Sequence, residues 1–432
     1  MNEVTSRTLA LQETAKRVLP AGTFGNIPIP TLIERGLGSR VWDTDGNEYV
    51  DYLIGSGPML VGHAHPKVTA AVHSQVDKGS TFFATNPYGV ELAQAIVDAV
   101  PCAEKVRFVS TGTEADFYAM RLARAYRKRD LILKFEGGYH GMSDYGLMSL
   151  APRREVAYPT PLPDSPGIPA SVEREMIVAP FNDIDYAVSL IRDFHDQLGG
   201  VIVEPFQRLI APAPGFLQGL REITAEHGIP LIFDEVVTGF RFGYGGAQEY
   251  YGITPDLCTL GKACGGGFPL AAVAGHADIM ELFDFSKASE QFLTQIGTLN
   301  GNPVAAVAGL ATLELLREPG AYARLFSTGT RLIESLKEEL EVNGFKAQVV
   351  GSPVMFEVQF TDDPVRNYRD SIKGDARLFS RLSTLLLERG IFKSDSKYYV
   401  GMAHTQEDID FTIEAWRDAL QQLAGEDRQR KR

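Results

Sequence analysis

Between residues 105 and 276 the chain repeats one pattern: a short, almost wholly apolar run, then a longer stretch with apolar residues every three or four positions. The runs are KVRFVS (105–110), LILKFEG (131–137), GGVIVEPF (199–206), IPLIFDEV (229–236), DLCTLGK (256–262) and LAAVAGH (270–276), bounded by Gly, Pro or Asp. Runs this short without polar alternation read as strands covered on both faces. The pattern therefore predicts an α/β fold, a mostly parallel sheet with helices packed on it. The helix after the first run is the plainest. Tyr118, Ala119, Leu122, Ala125 and Tyr126 form one stripe, with Arg121, Arg124 and Lys128 off it.

The two ends read differently. SRVWDTDGNEYVDYL, near the start, alternates about an Asp-Gly pair and predicts a hairpin. Near the end, Thr405 and Asp408 resemble a capping box, and Ile409, Ile413, Trp416, Leu420 and Leu423 follow at helical spacing. The tail GEDRQRKR is expected to fray. Residues 151–175 carry six prolines and predict a loop over a site. These patterns divide the chain into a large domain at 61–310 and a smaller α+β domain assembled from 1–60 and 311–432.

With 432 residues, 44% of them hydrophobic and 22% charged, the chain has the composition of an ordinary globular protein. Its formal charge of −13 argues against nucleic acid or anionic membrane as a partner. No apolar stretch is long enough to span a bilayer, and no secretory signal is visible. Three cysteines, Cys102, Cys258 and Cys264, are too few for a disulfide framework and suit a reducing cytoplasm.

Candidate chemistry collects where the runs end, because ligands of an open parallel sheet gather at the carboxyl edge of its strands. After the first run comes TGTEA (111–115), small residues opening a helix. This is either a plain capped turn or a phosphate cradle of backbone N–H groups. Asp234 ends IPLIFDEV, where a carboxylate serves as a helix cap, a metal ligand or the partner of a buried cation. Lys262 follows 28 residues later, a length that allows a crossover to a neighbouring strand. A buried lysine loses its proton readily, and a neutral amine condenses with an aldehyde. Pyridoxal phosphate offers an aldehyde, a phosphate and a ring nitrogen that works best protonated beside a carboxylate. At ~4 Å and an effective dielectric of ~20 such a charge pair is worth about 4 kcal/mol before desolvation. The glycines after Lys262 are expected to give the lysine room to swing.

At these residues the sequence resembles the class III, fold type I pyridoxal-phosphate-dependent aminotransferases, in particular the glutamate-1-semialdehyde aminomutase branch. The resemblance rests on VWDTDGNEYVDY, GPMLVGHAHP, RFVSTGTEADFYAMRLARAYRKRDLILKFEGGYHG, VIVEPF, IFDEVVTGFR, PDLCTLGKACGGGFPLAAVAG, GTLNGNP and AHTQEDID, in family order along most of the chain. It implies a large domain with a mostly parallel seven-stranded sheet and pyridoxal 5'-phosphate as cofactor. It also implies an amine or amino acid and a keto acid as small-molecule partners. Lys262 would be the Schiff-base lysine and Asp234 the partner of the pyridine nitrogen, with Val236 against the ring. Gly112 and Thr113 would hold the phosphate, Tyr139 would stack on the cofactor, and Glu204 would lie near its phenolic side. Gly297 and Thr298 would reach the phosphate of a neighbouring subunit, which implies a homodimer with shared active sites.

The substrate shell departs from that branch. The segment PAGTFGNIPIP (20–30) has no arginine where the aminomutases carry one for the substrate carboxylate, and Arg35 lies beyond it. Ser56 stands in place of a pocket tryptophan, and the acidic segment near the end is replaced by IFKSDSKYYVG (391–401). Phe24, Phe82, Phe83, Tyr88 and Tyr398 lie on segments that border the substrate in relatives, which points to a bulkier, more apolar substrate such as a β- or ω-amino compound. Lys393 or Lys397 would offer a weaker anion contact. The expected activity is thus transamination, with an aminomutase or epimerase as the alternative. His63 and His65 have no third ligand at metal spacing and read as structural. Cys264 reads as a small filler. Asp256 stands where the upstream glycine of a phosphate loop at Gly261-Lys262 would be.

Overall fold

The computed structural model describes residues 5–25, 31–287, 292–393 and 397–430. It divides into two compact units, one of 67–319 with 365–372, the other of 1–66, 320–364 and 373–432.

The first unit is built on a seven-stranded sheet. Its strands are β1 (Lys105–Val109), β2 (Leu131–Phe135), β3 (Met176–Ala179), β4 (Leu198–Val203), β5 (Leu231–Glu235), β6 (Leu257–Leu260) and β7 (Ala271–Gly275). The spatial order is β1-β7-β6-β5-β4-β2-β3. β7 is antiparallel to β1 and β6, and the remaining pairs are parallel. Every residue of β2 to β7 is buried, which is why these strands carry no polar alternation.

The six apolar runs correspond to six of these strands. The seventh, β3, is the four-residue MIVA directly behind the proline-rich stretch and is not among the runs. That stretch is irregular apart from the short helix Ala170–Glu173. It is held down by Ser149, whose N–H donates to Leu162 O (2.7 Å) and whose Oγ accepts from Leu162 N (2.9 Å), and by the Tyr158 hydroxyl on Glu136. The helix after β1 spans Gly112–Arg127 and buries Ala115, Ala119, Leu122 and Ala123 against the sheet. Arg127, at its end, donates to the carbonyls of His195, His227 and Gly228 and so ties down two turns.

The second unit contains the expected hairpin, Arg40–Asp43 against Glu48–Asp51, with Asp43 Oδ1 accepting from the Asp45 and Asn47 N–H groups inside the turn. The capping box is present too. Asp408 N donates to Thr405 Oγ1 (3.2 Å), and Asp408 Oδ2 accepts from Thr405 N (2.9 Å). The tail is a correction. The helix runs from Gln406 to Arg430 because Asp427 pairs with Arg377 and Glu426 with Arg381, so the last turns are anchored rather than frayed.

Two expected substrate contacts also prove to be packing residues here. The Tyr398 ring is fully buried against Tyr52, Phe356 and Trp416, and its hydroxyl accepts from Trp416 Nε1 (2.9 Å). Lys393 is buried with its Nζ 2.7 Å from Glu357 Oε2, so it has no charge to offer a ligand. Lys397 is buried with its ammonium over the Tyr399 ring, while Phe24 and Ser56 are exposed. His63 Nε2 lies 2.7 Å from Asp51 Oδ2.

Candidate active site

β5 and β6 run parallel with Asp234 opposite Thr259 and Glu235 opposite Leu260, so both strands end at the same edge of the sheet. Asp234 occupies the next-to-last position of β5, and Lys262 stands two residues beyond the end of β6. Lys262 opens a short helical turn, Lys262–Gly265, with φ 49°. Left-handed backbone is uncommon at a residue with a side chain, and it marks sites where the surrounding structure fixes an unfavourable geometry. The side chain is half-buried.

The glycines that follow do not provide room to swing. A Cβ at Gly266 would come within 2.5 Å of the Ala308 carbonyl oxygen, on the helix Pro303–Leu316, so these residues let two backbones approach closely. Cys264 is fully buried between them, and burial pushes its thiol up to about 12.

Asp234 is buried and held from several sides. His140 Nδ1 donates to Oδ2 (2.8 Å) and Val236 N donates to Oδ1 (3.0 Å), which leaves acceptor capacity on a carboxylate with about four lone-pair directions. Behind it lies Asp116, from the helix after β1, accepting from the Thr259 hydroxyl at 2.6 Å. Ligand atoms of Asp116, His140 and Asp234 lie within 4.8 Å of one another. Burial, then the charge of Asp234, raises Asp116 well above the usual carboxylate range and so favours its protonated form.

Val236 connects this patch to the start of the helix. A Cβ at Gly112 would lie 2.9 Å from Val236 Cγ1, and one at Gly261 3.1 Å from the same atom. The helix is capped by a full capping box. Thr111 Oγ1 accepts from Glu114 N, and Glu114 Oε2 accepts from Thr111 N. The box leaves the N–H groups of Gly112 and Thr113 without an acceptor among the described residues, at the positive end of a sixteen-residue helix. A phosphate fits those donors, Asp234 fits a protonated ring nitrogen, and an aromatic of the loop after β2 fits the face of a ring.

That aromatic, Tyr139, is half-buried in the loop after β2, and its N–H donates to Glu204 Oε2 (2.9 Å). Burial raises the Glu204 carboxyl, and Arg208 is the largest influence opposing the rise. The loop is pinned from below by Lys134 of β2. This fully buried lysine donates to the carbonyls of Gly138 (3.2 Å), Gly146 (3.0 Å) and Met148 (2.6 Å), and burial lowers it to about 7.

The structure thus gathers Lys262, Asp234, Val236, Gly112, Thr113, Tyr139 and Glu204 at one edge of one sheet. It does not place Gly297 and Thr298 there. They border a separate cavity of about 790 Å³ together with Phe83, Lys105, Arg107, Phe285 and Ile296. Sequence reasoning passed over Asp116, His140, Thr259, Lys134 and Arg208. His140 stood inside the quoted GGYHG, but only the fold shows that it faces Asp234.

The comparisons with known proteins agree with this geometry. The model of the family described as aminotransferase class-III matches residues 23–400. The chain is similar to an omega-transaminase from Sphaerobacter thermophilus, with 36% identity, 98% of each chain covered and a TM-score of 0.92. It is similar to a transaminase with PLP bound, with 32% identity, 99% and 100% covered and a TM-score of 0.90. A beta-phenylalanine aminotransferase from Variovorax paradoxus shares 31% identity, with 95% and 93% covered and a TM-score of 0.86.

Proposed function

The chain belongs to the class-III aminotransferases and is a pyridoxal-phosphate-dependent transaminase of fold type I; on that premise we propose how its residues divide the work. When bound, pyridoxal phosphate supplies an aldehyde that takes up the amino group and a ring that accepts electrons as a substrate C–H bond breaks. Lys262 would hold the cofactor through Nζ and, as a free amine, would take the proton from the amine-bearing carbon of the substrate and pass it to the cofactor. Asp234 keeps a proton on the ring nitrogen, and His140 orients Asp234. Gly112 and Thr113 bind the phosphate through their N–H groups, Val236 and Tyr139 hold the ring between them, and Glu204 stands at its phenolic side.

The observation that carries this assignment is the convergence, through Val236, of a buried aspartate, a left-handed lysine and a helix start with two unused donors. Gly297 and Thr298 border a different cavity of their own chain, which supports their service to a partner subunit and a homodimer with shared sites. Three buried free cysteines support a reducing compartment such as the cytoplasm.

For the substrate, the lack of arginine in 20–30 and the serine at 56 support a bulky, apolar β- or ω-amino compound as donor. The printed activities of the relatives, an omega-transaminase and a beta-phenylalanine aminotransferase, lie in the same range. Phe82 and Phe83, both exposed within one chain, are proposed to border that substrate.

The test is the visible spectrum of the purified protein with a panel of amines and amino acids, without any acceptor. A band that bleaches with one donor identifies the donor class, and Lys262→Ala abolishes the bleaching. A band that persists while the compound isomerises replaces transamination by the mutase or epimerase reading.

A further inference from the structure

We propose that Arg208 is the specificity residue that receives the substrate carboxylate, an inference that rests on the transaminase reading above. A transaminase that returns its amino group to a keto acid holds a carboxylate in at least one half-reaction, and a planar cation at the site would recognise it. The candidates from sequence fall away: 20–30 contains no arginine, Lys393 is committed to Glu357, and Lys397 is buried with its ammonium over the Tyr399 ring. In the sheet-bearing unit, Arg369 is committed to Glu136 through two donors, and Arg107 donates to the Phe283 carbonyl.

Arg208 is different. Four residues after Glu204 the chain makes a two-residue hairpin, closed by Gln207 N to Ile210 O (3.1 Å) and Ile210 N to Gln207 O (2.8 Å). Arg208 is its first central residue, with φ 59°. Tight turns that need positive φ there are normally given glycine, since a side chain makes the conformation unfavourable. An arginine retained at a glycine position signals that its side chain has a use.

Its aim agrees. Nε donates to the Gly137 carbonyl (3.2 Å), and the guanidinium carbon lies 5.1 Å from the centre of the Tyr139 ring. Among the described residues, no acceptor meets its Nη atoms and no carboxylate lies within ion-pair distance. The fork therefore keeps two donors beside the aromatic proposed to stack on the cofactor, and two donors on a planar cation match a carboxylate. Its field reaches buried Glu204, the acid proposed at the cofactor's phenolic side. Arg208 thus supplies from the sheet-bearing unit the recognition missing from 20–30.

The test compares holoenzyme carrying Arg208→Gly or Arg208→Lys with wild type. Glycine suits φ 59°, so Arg208→Gly is expected to fold with a melting temperature at or above that of wild type. Calorimetric binding of 3-phenylpropanoate, a carboxylate without an amine, should weaken roughly 10- to 100-fold in Arg208→Gly, as befits the loss of a charge-assisted pair. The specificity for β-phenylalanine relative to 1-phenylethylamine, which has no carboxylate, should fall by a similar factor, with partial rescue in Arg208→Lys. Equal losses for acid and amine would mean that Arg208 only braces Tyr139 and would overturn the proposal, as would unchanged binding of 3-phenylpropanoate. Should wild type convert no donor at all, the transaminase reading fails instead, and the calorimetric comparison alone decides Arg208.

Discussion

Asp116 and Asp234 share a buried patch with His140, and Thr259 donates to the first while lying 3.4 Å from the second. Two carboxylates that close, both out of water, cannot both ionise cheaply. Asp116 is raised, by burial first and by the charge of Asp234 second, which favours its neutral, hydrogen-bonding form beneath Asp234. The amide of Asp116→Asn should then substitute nearly isosterically, lowering the single-turnover rate with a good donor by less than about 10-fold. Asp234→Asn removes the charge beside the ring nitrogen, a pair worth about 4 kcal/mol before desolvation, and should lower the same rate by about 1000-fold. Stopped-flow single turnovers on the two variants decide it. A collapse of Asp116→Asn to the level of Asp234→Asn would show that Asp116 works ionised.

The loop after β2 depends on a lysine that no sequence pattern distinguished from its apolar neighbours. Lys134 sits in the run LILKFEG, where a charged side chain looks like an interruption. In the structure it replaces water for three loop carbonyls and so fixes the segment carrying Tyr139 and His140. Burial lowers it to about 7 from an ordinary 10.5. Between those values the unfolded chain holds a proton that the folded one does not, so this group makes stability rise with pH from about 7 to 10.5, the penalty being full below 7. Lys134→Met lacks that slope. Urea unfolding at pH 7, 8 and 9 should show wild type gaining about 1 kcal/mol over the first pH unit and about 1.3 over the second relative to the variant, and parallel curves would refute the assignment. Lys134→Met should also bind cofactor more weakly, since its loop carbonyls are left unsatisfied.

What sequence can and cannot reveal follows the same line. Strands long enough to form an apolar run were legible, as were local signals such as the Asp-Gly hairpin and the Thr405 cap. β3 was not, since it follows the proline-rich stretch without a break, nor the helical tail, whose anchors Arg377 and Arg381 lie some 45 to 50 residues away in the chain. Lys262 and Asp234 were legible because strand ends and crossover length constrain them, whereas the groups behind Asp234 meet only through tertiary contacts. Tyr398 and Lys393 misled for the complementary reason: an aromatic and a lysine on a pocket-bordering segment look the same whether they face a ligand or a core.

Over the whole molecule, the surface left apolar by a single chain bears on assembly. Phe83 is 70% exposed, Phe285 75% and Ile296 75%, and all three line the cavity that contains Gly297 and Thr298. Phe82 and Leu299, next to them in sequence, are exposed as well. Large apolar side chains gathered about one cavity are unusual on a chain that remains alone in water, and a two-fold axis would let one such surface cover its own copy. If Gly297 and Thr298 complete the partner's phosphate site, assembly and cofactor retention must be lost together. Wild type should therefore sediment as a dimer at micromolar concentration. Phe285→Glu combined with Ile296→Glu should shift it toward monomer and release cofactor on gel filtration, although neither residue belongs to the group around Asp234. The two readouts are coupled only through the shared site. A monomeric variant that keeps its cofactor as tightly as wild type would show that each chain binds the phosphate with Gly112 and Thr113 alone, and would remove Gly297 and Thr298 from the site.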